Sequence, residues 1–144
     1  MTPNRRMLDT NTVSHLIRQH PAVTRRVVEM PMATLCISVI TEGELLFGLA
    51  RRPKATALHQ VVKELLRRID VLAWDSSTAE IYGPLRAGLT ATGRTMGPLD
   101  LLIAAHALAT GSVLVTNDQA FRMIDGLAVD DWTTPSPATQ SDKP

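Results

Sequence analysis

Four acidic residues occupy positions where their carboxylates could work together. Asp9 follows a short apolar segment, and Asp118 follows the apolar, β-branched segment 112–116. Glu44 lies near the start of one helix-forming stretch, and Asp100 lies in the first turn of another. Because the carboxyl ends of parallel strands meet at one edge of an open α/β sheet, we expect the four side chains to converge there.

Acids crowded in this way predict a particular chemistry. Carboxylates that lie close together repel, so some would have to bind protons at neutral pH. A divalent cation removes this repulsion, and Mg²⁺ or Mn²⁺ suits hard oxygen ligands that leave room for water. Such an ion polarises a phosphate and ionises an attacking water, which indicates phosphodiester hydrolysis. Thr10, Asn11 and Thr116 adjoin the acids and could hold water or metal, or equally cap helices.

Each acid also has a purely structural explanation. Asp9 and Asp118 could act only as helix caps, and Asp100 could only complement a helix dipole. Thr41 with Glu44 fits the S/T-x-x-E capping box. Capping alone does not account for Asp100, because an acid without a partner is costly within an otherwise apolar helix.

Two further polar residues compete for a place in the site. Glu42 is two residues from Glu44, so the two point in different directions, and the neighbouring Leu45-Leu46 favours Glu44 as the inward acid. His106 lies almost two turns beyond Asp100, in the apolar middle of its helix. We therefore interpret His106 as a core histidine rather than a general base.

The elements that must position these residues alternate between strand and helix. The pattern predicts strands at 7–8, 35–40, 71–74 and 112–116, an edge strand at 127–129, and helices at 13–20, 22–30, 41–50, 55–68, 78–90 and 99–109. This alternation predicts a three-layer α/β/α domain over residues 1–132, with a central parallel sheet of four or five strands. Residues 133–144, rich in Pro, Ser and Thr, are expected to form a disordered tail.

The overall composition is typical of a soluble globular domain and indicates no partner by itself. The formal net charge is +1, so binding to nucleic acid would have to come from local patches. Adjacent arginines at 5–6, 25–26, 51–52 and 67–68 are candidates for phosphate contacts, although surface arginines are also common. The single cysteine, Cys36, fits a reducing cytoplasm, and no segment has the layout of a signal peptide or a membrane span.

The segments around the four acids resemble the PIN-domain family, and within it the VapC toxins of bacterial toxin–antitoxin pairs. The similar blocks are MLDTN at 7–11, ISVITEGEL at 37–45, GPLDLLIAAHA at 97–107 and VTNDQAF at 115–121. The resemblance implies a PIN-like fold in which Asp9, Glu44 and Asp100 are metal-binding catalytic acids. It further implies Asp118 as a fourth ligand, direct or through water, with Thr116 supporting it.

The same resemblance implies an activity and a set of partners. It implies an Mg²⁺- or Mn²⁺-dependent endoribonuclease that forms a homodimer and is silenced by a cognate VapB-type antitoxin, whose C-terminal segment lies across the toxin's groove. Operator DNA would be contacted only through the antitoxin, and no membrane is involved. Gly97-Pro98 and the segment Asp130-Asp131-Trp132 are most similar to members that cut the anticodon loop of initiator tRNA, a single-stranded RNA element.

Other classes of protein fit the sequence less well. Receiver domains and haloacid-dehalogenase-type phosphatases also place acids at this sheet edge, but both need a lysine near the phosphate. Lys54, Lys63 and Lys143 lie in helical or tail segments, and the chain has neither a P-loop nor a dinucleotide-binding glycine fingerprint. The remaining alternative is a catalytically minor dimer platform and corepressor that binds operator DNA together with its antitoxin. The presence of all four acids favours the enzyme.

Overall fold

A five-stranded parallel sheet organises the part of the chain that the computed structural model describes, residues 5–134. The strands are β1 (Arg6–Leu8), β2 (Leu35–Ser38), β3 (Asp70–Leu72), β4 (Val113–Val115) and β5 (Val129–Asp130). The helices are α1 (Thr10–Ile17), α2 (Pro21–Glu29), α3 (Val39–Ala50), α4 (Thr56–Arg68), α5 (Ser76–Ala91) and α6 (Pro98–Thr110). The strand order is β3-β2-β1-β4-β5, with every neighbouring pair parallel.

Two apolar cores cover the two faces of this sheet, because successive side chains of a strand point to opposite faces. Leu8 of β1 packs in the core built with α1, α2, α3 and α4, which includes Val23 and Leu45. Met7 packs in the opposite core, with Ile103 of α6 and Phe121. The predicted three-layer α/β/α fold is confirmed, and of the four or five strands predicted for its parallel sheet the structure has five.

The first turns of α1 and α3 lie earlier than the sequence pattern predicted. Helix α1 begins at Thr10 rather than at residue 13, because the Asp9 side chain accepts a hydrogen bond from the Thr12 amide and caps the helix. Strand β2 ends at Ser38 and α3 begins at Val39, where residues 35–40 were predicted to be strand. Ser38 Oγ accepts a hydrogen bond from the Ile40 amide at 3.0 Å, so a serine cap overrides the strand preference of two β-branched residues.

Several other predicted boundaries shift by one to three residues. Helix α5 begins at Ser76 rather than at residue 78 and is capped by Asp75, and β3 ends at Leu72 rather than at Trp74. Gly111 ends α6 with a φ of 65°, as expected for a glycine that terminates a helix in the left-handed region.

The segment after β5 is anchored to α2. Trp132 is buried, its indole Nε1 donates to Asp130 Oδ2 at 2.9 Å, and the Arg26 guanidinium lies over its ring and 3.2 Å from the same carboxylate. Thr133 continues into a turn held by hydrogen bonds to Asp131. Residues 135–144 of the predicted tail lie outside the described residues. Within residues 5–134, no helix combines the length and the hydropathy of a membrane span.

Candidate active site

The four predicted acids come together at the carboxyl edge of the sheet. Asp9 follows β1, Asp118 follows β4, Glu44 lies in α3 and Asp100 lies in the first turn of α6. Burial raises the pKa of Asp100, and the negative charges of the other three acids raise it further. Since such repulsion falls off with distance, Asp100 is close enough to the other three acids for their charges to act on it.

Asp9 is the most deeply buried of these acids, with only 3% of its surface exposed. Its amide donates to the Val115 carbonyl at 3.1 Å, which ties the end of β1 to β4. Burial raises the pKa of the Asp9 carboxyl, hydrogen bonds from Thr116 and Thr12 oppose that shift, and the charge of Asp118 adds to it. Asp9 therefore caps α1 and also contributes a buried carboxylate to the site.

Glu44 reaches the site through a hydrogen bond across 34 residues of sequence. Thr10 Oγ1 donates to Glu44 Oε1 at 2.7 Å and lies 3.2 Å from Thr41 Oγ1. Because Thr10 directly follows Asp9, this bond fixes α3 against the end of β1. Thr41 lies inside α3 and not at its start, so the capping-box explanation of Glu44 does not hold. Glu42 makes no such contact within the described residues.

Asp118, like Asp9, both caps a helical turn and lies in the acid site. Its side chain accepts from the Ala120 amide at 2.9 Å, and its own amide donates to Thr116 Oγ1 at 3.0 Å. Thr116 is 1% exposed and hydrogen-bonds to Asp9 as well. The predicted supporting residue Thr116 thus lies between the two acids that end the central strands.

The entry into α6 leaves space for Asp100. Gly97 is the N-cap residue and Pro98 is the first helical residue, so Asp100 lies where the helix dipole favours a negative charge. A Cβ atom placed on Gly97 would lie 3.4 Å from Asp100 Oδ2. The glycine therefore lets the carboxylate lie close to the backbone before the helix.

Two residues that follow Asp9 are placed differently from what the sequence predicted. Asn11 is exposed and makes no side-chain hydrogen bond in the described part of the chain, because α1 has already begun and Asn11 lies about 100° around the helix from Thr10. Thr12, which was not among the predicted site residues, is buried and donates to the Val115 carbonyl at 2.9 Å. The sequence signal that could have indicated Thr12 is its position three residues after the capping residue Asp9.

His106 is a core residue, as interpreted from the sequence. It is completely buried, and its Nδ1 lies 2.8 Å from Ser38 Oγ. Burial lowers the pKa of the imidazole, which favours its neutral form. The Ser38–His106 contact joins the start of α3 to the middle of α6, and these are the two helices that carry Glu44 and Asp100.

The chemistry of this site fits Mg²⁺ or Mn²⁺, with water completing the coordination shell. The donors are hard carboxylate oxygens, and burial together with neighbouring negative charge raises the pKa values of Asp9 and Asp100, an effect that a cation would relieve. In residues 5–134, no three His, Cys, Asp or Glu side chains are arranged as a closed metal-binding group. Mg²⁺ usually keeps several waters and takes only one or two carboxylates directly, so an open arrangement suits it.

Comparison with known proteins places this geometry in a family. Residues 6–127 match the PIN domain family model. The chain is 36% identical over 128 residues to a protein named tRNA(fMet)-specific endonuclease VapC from Shigella flexneri, covering 88% of this chain and 97% of that protein. It is 33% identical to Ribonuclease VapC2 of Rickettsia felis, over 88% of this chain and 96% of that one.

Solved structures agree with the sequence relatives. A VapBC complex from Salmonella typhimurium bound to DNA includes a chain that matches with a TM-score of 0.84 and 35% identity, covering 90% of this chain and 99% of that one. VapBC2 from Rickettsia felis, bound to a DNA fragment from its promoter, matches with a TM-score of 0.81 and 31% identity, over 88% and 98% of the two chains. With its four acids at the carboxyl edge of a parallel five-stranded sheet, the chain belongs to the PIN-domain family, in its VapC branch.

Proposed function

We propose that this protein is the toxin of a type II toxin–antitoxin pair, and that it is an endoribonuclease that hydrolyses RNA phosphodiester bonds with the help of a divalent cation. The observation that carries the proposal is the convergence of four acids on one sheet edge, where burial and the charges of the other three acids raise the pKa of Asp100. The ribonuclease names of the VapC relatives support the same activity.

Each of the four acids has a role in binding the cation. Asp9, Glu44 and Asp100 are the metal-binding carboxylates of the proposal, and Asp118 is a fourth ligand, direct or through water. Bound there, Mg²⁺ or Mn²⁺ would polarise the phosphate and lower the pKa of an attacking water. Thr10 orients the Glu44 carboxylate by donating to its Oε1.

The threonine hydroxyls keep the buried acid ready to accept a cation. The hydrogen bonds from Thr116 and Thr12 to Asp9 favour its ionised form and oppose the effect of burial on its pKa. Without them, a nearly completely buried carboxyl would bind a proton more readily and so bind a cation less well. The polar second layer around Asp9 therefore supports metal binding at neutral pH.

The proposed substrate is the anticodon loop of initiator tRNA. Two relatives, from Shigella flexneri and Salmonella typhimurium, carry the name tRNA(fMet)-specific endonuclease and are each 36% identical to this chain. Trp132 of the Asp130-Asp131-Trp132 segment is buried against Arg26, so this tryptophan is a packing anchor and does not stack on RNA. Any selectivity must therefore come from other surfaces around the site.

The proposed partners follow from the neighbouring structures. One neighbour is named as a member of the VapBC family of toxin-antitoxin systems, so we expect a VapB-type antitoxin to bind and silence this protein. The resemblance to VapC toxins further implies a homodimer. A second role, as corepressor platform, is favoured by the two complexes that contain DNA, and contact with operator DNA would run through the antitoxin. A toxin that acts on tRNA would work in the cytoplasm.

The direct test is RNA cleavage by purified protein freed of antitoxin. Total bacterial RNA is incubated with Mg²⁺, Mn²⁺ or EDTA, and the new 5′ ends are mapped. Discrete, metal-dependent ends within the initiator tRNA anticodon loop are expected. Absence of any cleavage by folded, metal-loaded protein would contradict the nuclease proposal and favour the corepressor role.

Two variants separate the acid site from the rest of the molecule. Asp100→Asn is expected to reduce cleavage by at least about 100-fold, a loss typical of removing one preorganised electrostatic group. Asp125→Asn is the matched control, because Asp125 is exposed and makes no side-chain hydrogen bond or ion pair with any other described residue. Equal loss in both variants, or none in Asp100→Asn, would rule out the carboxylate site as the nuclease centre.

A further inference from the structure

A cavity of about 290 Å³ lies directly beside the acid site, between α1, α3 and α4. Thr10 and Glu44 belong to its lining, so the cavity and the acid site share two residues. Small-ligand pockets span about 300–1,000 Å³, which makes this cavity comparable to the smallest of them. It has room for one nucleotide or a few side chains, but not for a folded domain.

The floor of the cavity is apolar. Leu45 and Leu49 of α3 and Val62 of α4 line it, and they are 7%, 5% and 2% exposed respectively. An apolar surface of this kind suits the flat face of a nucleobase, which enzymes commonly hold against apolar or aromatic side chains. The floor of the cavity could therefore bind the base of a nucleotide.

The rim of the cavity is basic. Arg18, Arg51 and Arg52 are exposed lining residues, and Glu44 is the only acid among the lining residues. None of the three forms an ion pair within residues 5–134. Four other arginines do pair with carboxylates: Arg5, Arg26, Arg67 and Arg68. Guanidinium groups without a carboxylate partner are free to bind phosphate, which they match in charge and geometry.

Two of these arginines extend from a turn with a well-defined backbone. The Arg52 amide donates to the Leu49 carbonyl at 3.0 Å, and the Arg52 carbonyl oxygen lies 2.8 Å from His59 Nε2. The Arg51 guanidinium lies 5.5 Å from the centre of the Phe47 ring. Because the turn is already fixed, less conformational entropy is lost when these side chains bind a ligand.

We propose that this cavity is the subsite for the RNA nucleotide next to the scissile phosphodiester, with the base on the apolar floor and the backbone phosphate between Arg18 and Arg52. The inference rests on the proposed function and adds a specific place for the substrate. The lining favours RNA over a peptide, because its charge is strongly positive and it joins the carboxylates at which the phosphodiester would be cut. Selectivity for a nucleotide at this position would then depend on the fit of its base.

A substitution at Gly48 can fill the cavity without changing any charged residue. It lies in the lining, and a Cβ atom placed there would meet no atom within 4 Å. Gly48→Leu should therefore fill the space while leaving the helix intact, because leucine is a better helix former than glycine. Gly88→Leu in α5 is the matched control, since a Cβ there also meets nothing within 4 Å and Gly88 is outside the lining.

The measurement is the affinity of fluorescently labelled initiator tRNA for the protein, followed over a range of salt concentrations. The background is Asp100→Asn, so that binding is read without cleavage. Gly48→Leu, Arg18→Gln and Arg52→Gln are each expected to weaken binding by about 10-fold, as expected for loss of one good contact. Each arginine variant should also lower the salt slope by about 0.7, the value for one phosphate contact on a single strand. Arg86→Gln in α5 removes one positive charge outside the lining and should change neither quantity by comparable amounts.

The outcomes separate this inference from the proposed function. Cleavage by the otherwise unmodified protein tests the nuclease, whereas binding by the variants tests the cavity. If the protein cuts tRNA but the three variants, shown to be folded by thermal unfolding, bind tRNA as tightly as the controls, the subsite is overturned. It is also overturned if the variants keep their tRNA affinity and lose binding to a VapB-type antitoxin, because the cavity would then be a peptide groove. If Gly48→Leu fails to fold, the two exposed arginine variants decide.

Discussion

Thr10 Oγ1 donates a hydrogen bond of 2.7 Å to Glu44 Oε1. Thr10 is the first residue of α1, and Glu44 is one and a half turns into α3, so the bond joins two helices that follow neighbouring strands. A threonine beside one acid thus orients a second acid that is distant in sequence. The geometry of the proposed metal site depends on this contact.

Replacing Thr10 with valine should weaken the site without removing a carboxylate. Residues that hold metal ligands in place usually contribute about 10–100-fold to metal affinity or activity. We expect Thr10→Val to reduce kcat in that range and to raise the Mg²⁺ concentration needed for half-maximal activity, while Thr10→Ser restores both. The Mg²⁺ titration is the decisive measurement, because a general loss of folding would not be rescued by serine. A valine variant with unchanged Mg²⁺ dependence would contradict a positioning role.

Replacing Asp9 with asparagine or with alanine should separate its two roles, as a helix cap and as a metal ligand. Asparagine caps helices about as well as aspartate, whereas alanine loses about 1 kcal/mol at such a position. We expect both variants to lose RNA cleavage by at least about 100-fold. Only Asp9→Ala should also lose about 1 kcal/mol of unfolding free energy, measured by denaturant titration. If Asp9→Asn retained activity, Asp9 would be a cap and not a metal ligand.

The metal-free protein should become more stable when Asp100 is neutralised. The raised pKa means that the folded protein binds more protons than the unfolded chain above the ordinary value of 3.8, so its stability falls as pH rises through that window. Asp100→Asn removes this repulsion. In EDTA at pH 7 we expect its Tm to exceed that of the parent, by about 2–4 °C for each kcal/mol of relief.

The same measurement at pH 4 and with Mg²⁺ provides the controls for Asp100. As the pH falls toward 4 the difference in Tm should shrink, because the raised pKa lets the parent's Asp100 carboxyl bind its proton at a higher pH than an unperturbed aspartate would. Mg²⁺ should raise the Tm of the parent more than that of Asp100→Asn. A lower Tm for Asp100→Asn in EDTA at pH 7 would mean that the carboxylate stabilises the fold, contrary to this account.

The pH dependence of cleavage should move with the Mg²⁺ concentration. Burial and neighbouring charges raise the pKa of Asp9 and Asp100, and the ionised forms are the ones that bind a cation. Activity should therefore rise with pH as these carboxyls ionise. Because cation and proton compete for the same oxygens, more Mg²⁺ should shift the rising limb of the profile to lower pH. A rising limb that stays at the same pH across a hundredfold range of Mg²⁺ would argue against coupling between these acids and the metal.

Gly97 should tolerate only the smallest side chain. Its φ of −55° and ψ of 143° are open to any residue, so an effect of substitution must come from contact. Alanine would place its Cβ 3.4 Å from Asp100 Oδ2, whereas valine would add two methyl groups near that carboxylate. We expect a loss of a few-fold in kcat for Gly97→Ala and about 10-fold or more for Gly97→Val, since small displacements of a catalytic group are costly. Equal kcat values for the three proteins would show that the close approach of residue 97 to the Asp100 carboxylate does not affect catalysis.

Much of the site could be predicted because its signals are local. Asp100 stands out as an acid in an otherwise apolar helix, and Gly111 marks the end of that helix. Asp9 and Asp118 follow apolar segments that any parallel sheet would bury. The convergence of these acids then follows from the general rule that parallel strands end at the same edge.

Other features could not be predicted from local pattern. Residues 39–40 are β-branched and look like strand, yet Ser38 caps a helix there because its hydroxyl is held close to His106 of α6, 68 residues away. Asn11 was predicted to adjoin the acids and Thr12 was not, yet Asn11 is exposed, whereas Thr12 is buried and donates to the Val115 carbonyl, 103 residues away. In both cases a contact between distant segments decided between local alternatives.

The order of strands and helices, their apolar faces and the acids at the strand ends can all be inferred from sequence, because these depend on periodicity and on residues a few positions apart. Which residues meet depends instead on tertiary packing. The order β3-β2-β1-β4-β5 places α3 beside α1, which brings Glu44 to Thr10 and encloses the arginine-rimmed cavity next to them. Contacts of this kind depend on how whole elements pack around the sheet, and no short window of sequence carries that information.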